Sequence, residues 1–265
     1  MNFLVLCLLC LIQGLSEFLP ISSSGHLLFA EQLFGIEGDI LLLNLFLHIA
    51  TLLAVVIVYR KILWNLLKKP FQPLTYKLIL STLITLIFAF AYEFLPVQNY
   101  ITKIYGFCFI ATAILLLVTY IFQKKSATIN PDSIGTKSAV LVGLIQGIAV
   151  LPGISRSGST ISSLILAGNS EEKSAEYSFL LSIPIIVGGF AFELIKLFHS
   201  PTTTNAFSSL SIWLCIFAFV LTFIISIISL KLTLKLLKNN KFIYFSIYLF
   251  ALGIAVIAYN FLYLG

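Results

Sequence analysis

Residues 11–25 read LIQGLSEFLPISSSG, and residues 144–158 read LIQGIAVLPGISRSG. At an offset of 133, eight of the fifteen positions are identical, among them Gln13/Gln146, Gly14/Gly147, Ser22/Ser155, Ser24/Ser157 and Gly25/Gly158. Each stretch breaks an apolar region, 1–34 or 138–166, with Pro, Gly and Ser. The flanking pieces, about 12 residues each, fall short of the ~20 that a membrane-crossing helix needs. Both regions therefore read as re-entrant helix–loop–helix hairpins. Such backbone survives at membrane depth only when it is buried in protein or lines a cavity.

The rest of the chain agrees. Of 265 residues, 60% are hydrophobic and 10% charged, with a mean hydropathy of +1.08. Soluble domains run near 45–50% apolar and about 25% charged, so a soluble fold is excluded. Disorder is excluded too, since it needs few apolar residues. A transmembrane β-barrel would alternate over segments of about ten residues, whereas this chain has continuous apolar runs. Six runs are long enough to cross: 41–59, 78–95, 101–122, 177–198, 210–230 and 242–264. The same offset carries 41–59 onto 174–192 and 78–95 onto 211–228. The expected fold is an all-α integral membrane protein with six transmembrane helices and two re-entrant hairpins. It forms one membrane domain built as an inverted-topology repeat, 1–132 and 133–265. Such repeats place a binding site near the midplane where they meet.

Charge sets the orientation. Thirteen of the 16 Lys and Arg residues lie in 60–77, 123–137, 167–176 and 231–241. The positive-inside rule makes these the cytoplasmic segments, with both termini on the outer side. The net charge of +6 follows from this bias, and no nucleic-acid partner is implied. Cys7 and Cys10 form a C-x-x-C inside an apolar run with no second pair nearby, which reads as two small buried hydrophobes. With no basic start and a polar motif following at Gln13, the amino terminus does not read as a cleavable signal.

The two tips gather the unusual chemistry. The first carries Glu17, Ser22, Ser23, Ser24, Gly25 and His26; the second carries Ser155, Arg156, Ser157 and Gly158. An ionised group at membrane depth costs roughly 2.5–3.5 kcal/mol even on permissive scales, which makes it a functional candidate by default. Arg offers a planar fork to phosphate oxygens, His moves a proton near neutral pH, and helix starts bind anions with free N–H groups. Gly25 and Gly158 would let the backbone approach a ligand. Phosphate or diphosphate fits this set better than a neutral solute. Bland readings stand beside it. Ser16, Ser24, Ser162 and Ser163 would also serve helix packing, His26 would also serve as a satisfied core residue, and Glu17 and Arg156 would also form a structural ion pair. His48, mid-span, faces either the cavity or a neighbouring helix. Glu93, Glu193 and His199 lie near span ends, where snorkelling suffices, and Glu171, Glu172 and Glu176 mark a cytoplasmic helix start. No Walker loop, dinucleotide fingerprint or zinc-ligand spacing is present.

Together, EFLPISSSGH (17–26) and PGISRSGST (152–160) resemble the undecaprenyl-diphosphate phosphatase family of bacterial membranes. The resemblance extends over essentially the whole chain and includes YSFLLSIPII at 177–186. It implies hydrolysis of undecaprenyl diphosphate to the monophosphate and inorganic phosphate. That reaction recycles the carrier lipid of peptidoglycan and envelope polymers and underlies bacitracin resistance. It also implies a location in the bacterial cytoplasmic (inner) membrane, a site opening outward, and a divalent cation, Mg2+ or Ca2+. The positions carried over are Glu17, Ser22, Ser23, His26, Ser155 and Arg156; the reading of the tips adds Ser24, Gly25, Ser157 and Gly158 as expected substrate contacts. Many members have Glu where this chain has Gln13, so Glu17 would carry the ionic share of any metal site and Gln13 at most a neutral ligand. Ser23 is the expected nucleophile with His26 as proton acceptor, and attack by His26 itself is the alternative.

A secondary transporter or polyprenyl-phosphate flippase is the rival from another class, because inverted repeats with broken helices are typical of transporters. What separates them is the tip chemistry, since a carrier needs no His–Ser–Glu set around an Arg. A structural scaffold would leave the buried charges unexplained. The sequence leaves open whether the chain works alone or as a homodimer.

Overall fold

A computed structural model of the chain describes residues 2–36, 41–95, 100–123, 134–199 and 212–263. All its regular elements are helices: α1 (Phe3–Ser16), α2 (Ser23–Leu33), α3 (Leu41–Val58), α4 (Arg60–Lys68), α5 (Pro73–Phe94), α6 (Ile101–Gln123), α7 (Thr136–Ile148), α8 (Arg156–Leu166), α9 (Glu171–His199), α10 (Ile212–Lys238) and α11 (Phe242–Tyr263). Five of them are long and apolar enough to cross a membrane, and α3 with α4, bent by 76° at Tyr59, makes up to six. Large apolar side chains such as Ile87, Phe90, Trp213 and Ile228 stand exposed along these helices, as lipid-facing surfaces require. Lys124 and Lys125 lie outside the described residues, as do the side chains of Lys196 and His199.

Each of the two interrupted apolar regions folds as two helices separated by a break, and the breaks have local causes. After Ser16, Pro20 supplies no N–H, and Ser22 takes φ +69°, a left-handed conformation a side chain rarely adopts. After Ile148, Pro152 and Gly153 do the same work, Gly153 at φ +90°. New helices then start on matched serine caps. Ser22 Oγ accepts from Gly25 N at 3.4 Å and Ser155 Oγ from Gly158 N at 3.0 Å, satisfying one orphan donor of each helix.

The half-helices pack on long helices from the opposite end of the chain. Helix α1 runs parallel to α10, with Gly14 against Thr222 and Ile225 and Ser229 Oγ donating to Leu15 O at 2.7 Å. Helix α7 runs parallel to α5, with Gly147 against Phe88 and Ser81 Oγ donating to Ala139 O at 2.7 Å. Helices α6 and α11 cross antiparallel where Gly106 meets Gly253, and Ser246 Oγ donates to Ala113 O at 2.8 Å. Small residues at crossings let backbones approach where no hydrophobic effect drives helices together. Cys10 is buried with Leu6, Leu9 and Leu47, and all four cysteines are free, as the sequence suggests. Glu171 and Glu172 do sit in the first turn of α9, paired with Gln123 (2.5 Å) and Lys238 (3.0 Å).

The tips touch each other. A Cβ on Gly25 would lie 2.8 Å from Gly153 Cα, one on Gly158 would lie 3.1 Å from Pro20 Cβ, and Ser157 Oγ donates to Leu19 O at 3.0 Å. A Cβ on Gly153 would press on Tyr105 O in addition to its strained φ. Gly153→Ala is therefore expected to cost about 2 kcal/mol or more. Gly135→Ala, where a Cβ meets nothing, is expected to be close to neutral. Thermal unfolding of both variants in detergent checks this, and equal melting would refute the packing.

Candidate functional site

Glu17 sits one residue past the end of α1, buried to 6% exposure, and three side chains converge on it. Arg156, the first residue of α8, pairs with Oε1. Ser23, the first residue of α2, donates to Oε2 at 2.6 Å, and Gln13, one turn back on α1, donates from Nε2 to Oε2 at 3.1 Å. Carboxylate and guanidinium come from different tips, 139 residues apart in sequence. Thr112 of α6 holds the second tip, its Oγ1 accepting from Ser155 N at 3.1 Å.

Around this pair lies a small polar cavity of about 40 Å³ whose walls include Glu17, Ser22, Ser23, Ser155, Arg156 and Ser157. The caps take the third N–H of each helix, so the backbone N–H groups of Ser23, Ser24, Arg156 and Ser157 have no acceptor among the described residues. Two helix starts with free donors, hydroxyls and a guanidinium are a donor set that can receive an anion. Beside it opens a cavity of about 680 Å³, sharing Glu17, Ser23, Ser24 and Arg156 and otherwise walled mainly by apolar side chains of α5 and α9. That volume lies in the usual range for ligand pockets.

The structure thus brings together Glu17, Ser22, Ser23, Ser24, Ser155, Arg156 and Ser157. Other expected members lie apart. Gly25 and Gly158 line neither cavity; the room they leave goes to the other tip, and for Gly25 also to Phe109. His26 lines neither cavity. Its Nδ1 donates to Ser22 O at 2.7 Å, since a carbonyl only accepts, and Nε2 meets the Tyr248 hydroxyl at 2.7 Å. The ring stacks at 14° on Tyr248 and stands edge-on to Phe109. The contact made by the Ser23 hydroxyl is with Glu17, not with His26. His48 and Gln146, by contrast, do line the large cavity. The signal for His48 was present, an imidazole in an otherwise apolar span. The Tyr248 partner, 222 residues from His26, left no signal.

The donor set suits a divalent cation shared with a bound phosphate. Glu17 supplies one hard carboxylate, and Gln13 Oε1, wholly buried beside it, has no partner among the described residues. Those residues hold no cluster of three His, Cys, Asp or Glu, so phosphate oxygens would have to complete the shell, as is usual for Mg2+.

The family described as Bacitracin resistance protein BacA matches residues 6–255. The chain belongs to this family. Among its relatives, the undecaprenyl-diphosphatase of Carboxydothermus hydrogenoformans is 32% identical over 258 residues, 97% of each chain. That of Treponema denticola is 35% identical over 262 residues, 94% of each. That of Borrelia recurrentis is 36% identical over 265 residues, 94% of this chain and 95% of its own.

Breaking a buried pair leaves an uncompensated charge, whereas removing both partners does not. Arg156→Ala is expected to destabilise the protein by about 3 kcal/mol, and the double variant Glu17→Ala/Arg156→Ala by clearly less. Detergent unfolding of single and double variants measures the coupling, and simple additivity would refute it.

Proposed function

We propose that this protein hydrolyses undecaprenyl diphosphate to undecaprenyl phosphate and inorganic phosphate, returning the carrier lipid to envelope synthesis. Membership of the BacA family and the undecaprenyl-diphosphatase names of its relatives support this over transport. The observation that carries it is one pocket holding a carboxylate, a hydroxyl bonded to it and a guanidinium. A carrier needs no such set.

The terminal phosphoryl group enters from the large cavity and draws Arg156 off Glu17, freeing Oε1. Arg156, the Ser155 hydroxyl and the free N–H groups of the two helix starts then hold the phosphoryl oxygens as charge develops on them. Ser23 Oγ attacks phosphorus while its proton passes to Glu17 along the 2.6 Å contact. The bond from phosphorus to the bridging oxygen breaks, and its electron pair leaves with the lipid monophosphate. Water then cleaves the phosphoserine and releases inorganic phosphate. A divalent cation held by Glu17 and Gln13 would neutralise phosphate charge. In this scheme His26 positions rather than reacts, because its Nδ1 proton secures the strained Ser22 that caps α2.

The placement in the membrane follows the same reading. The six spans and two re-entrant hairpins form an inverted repeat, supported by helix ends and caps that recur at the offset of 133: Ser23–Leu33 returns as Arg156–Leu166. The basic segments face the cytoplasm, and the termini and site open to the outer side of the bacterial cytoplasmic membrane. The prenyl tail stays in lipid while the diphosphate occupies the cavity.

Detergent-purified protein is expected to release phosphate from undecaprenyl diphosphate and to lose most of that activity in EDTA. Ser23→Ala and Arg156→Ala are each expected to lower kcat by roughly 100-fold or more. A phosphorylated peptide containing Ser23 in a rapid quench identifies the nucleophile. A folded wild-type protein that releases none would refute the phosphatase.

A further inference from the structure

Beyond the tips, the wall of the large cavity carries a second polar pole that the scheme above leaves unused. His48 stands on α3 one turn from Leu45, and both line the cavity. Its Nδ1 lies 2.7 Å from Asn44 O, an acceptor only, so Nδ1 carries a proton and the ring is locked against its own helix. Nε2 has no hydrogen-bond partner among the described residues. From α7, Gln146 lines the same cavity at 1% exposure. Its Nε2 donates to Thr85 Oγ1 at 3.1 Å, and its Oε1 has no partner among the described residues. Polar groups this deep normally find partners, and leaving one unmet costs about 1–3 kcal/mol. Two groups with spare hydrogen-bonding capacity, on different helices, face one cavity whose remaining lining is mainly apolar.

A lipid diphosphate has two phosphates, and the pocket at the tips accounts for only the terminal one. The second is esterified to the prenyl chain, so it must lie between the tips and the apolar wall. His48 lines that same space, which Glu17, Ser23 and Arg156 border on one side. We propose that His48 binds the lipid-side phosphate through Nε2 and steadies it as the leaving group. With Nδ1–H committed to Asn44, a single proton lies between Nε2 and a phosphate oxygen, whichever of the two holds it. Gln146 Oε1 accepts from a water or from a protonated phosphate oxygen beside it. When the bond to the bridging oxygen breaks, negative charge grows on this phosphate, and the hydrogen bond strengthens there. The role rests on the phosphatase reading and adds a subsite specific to the lipid-bearing half of the substrate.

The two products separate the two subsites. Undecaprenyl phosphate carries the lipid-side phosphate alone, and inorganic phosphate stands for the terminal one. Inhibition by each is measured on wild type, His48→Leu and His48→Gln, the last keeping an N–H donor at similar reach. His48→Leu is expected to weaken inhibition by undecaprenyl phosphate roughly 10- to 100-fold, the worth of a charged hydrogen bond, and to leave inhibition by inorganic phosphate unchanged. His48→Gln is expected to fall between. Equal loss for both products indicates general damage to the fold and overturns the proposal, as does unchanged inhibition by the lipid product. If wild type releases no phosphate, the phosphatase reading fails on its own. Direct binding of undecaprenyl phosphate to wild type and to both variants then decides the subsite: weaker binding to His48→Leu than to wild type supports it, and equal binding overturns it.

Discussion

The ion pair between Glu17 and Arg156 is the constraint the rest of the structure serves. Each charge alone, largely buried as these are, would be costly, and each is made tolerable by the other together with hydroxyl and amide partners. Glu17 accepts from Gln13 and Ser23 as well as from Arg156, so the carboxylate is satisfied three ways. Because the partners come from the two tips, the pair also ties the first half of the chain to the second. A phosphate that competes for Arg156 therefore engages the contact that joins the tips, and binding and tip geometry are coupled through one guanidinium.

That pair can form only because the chain stops being helical twice. A continuous helix through residue 17 or residue 156 would keep its N–H groups bonded internally and offer no donors. Pro20 and Gly153 end regular structure, and Ser22 and Ser155 start it again while capping only one donor each. The remaining free N–H groups point away from their own helices. Gly25 and Gly158 then let the tips close on each other, with Ser157 bonded to Leu19 O across the junction. The break in the helix, the close approach and the free N–H donors thus have a common origin in a handful of Ser, Gly and Pro residues.

Much of this was legible because the requirements are local. A helix start needs a cap and a break needs Pro or Gly, so the two tips announce themselves in LIQG…SxSG at a fixed offset. Span length is likewise a local property. Which face of a span meets which neighbour is not. His26 looked like a partner for Ser23 because both lie on the first turn of α2, yet its ring turns to Tyr248 on α11. Gly25 and Gly158 looked like gaps left for a ligand, and the gaps hold the opposite tip. His48 was ambiguous for the same reason: an imidazole in an apolar run signals a polar neighbour without saying which one. Only the packing of α3 beside α9, with α5 and α7 closing the cavity, resolves it.

The repeat in the sequence is faithful where the scaffold needs it and broken where the chemistry does. Gln13/Gln146, Gly14/Gly147, Ser22/Ser155 and Gly25/Gly158 are identical, and they supply amides, crossings and caps. Glu17 faces Val150 in the alignment, Ser23 faces Arg156, and His26 faces Ser159. Perfect repetition would put a carboxylate and a hydroxyl on both tips, or a cation on both, and like charges meeting at depth repel while still paying desolvation. One tip supplying the carboxylate and hydroxyl and the other the guanidinium avoids that repulsion. In the proposed scheme a phosphate then meets two unlike sides, one that holds its charge and one that attacks it. A binding site alone could be symmetric; hydrolysis requires that the two sides of the phosphorus differ.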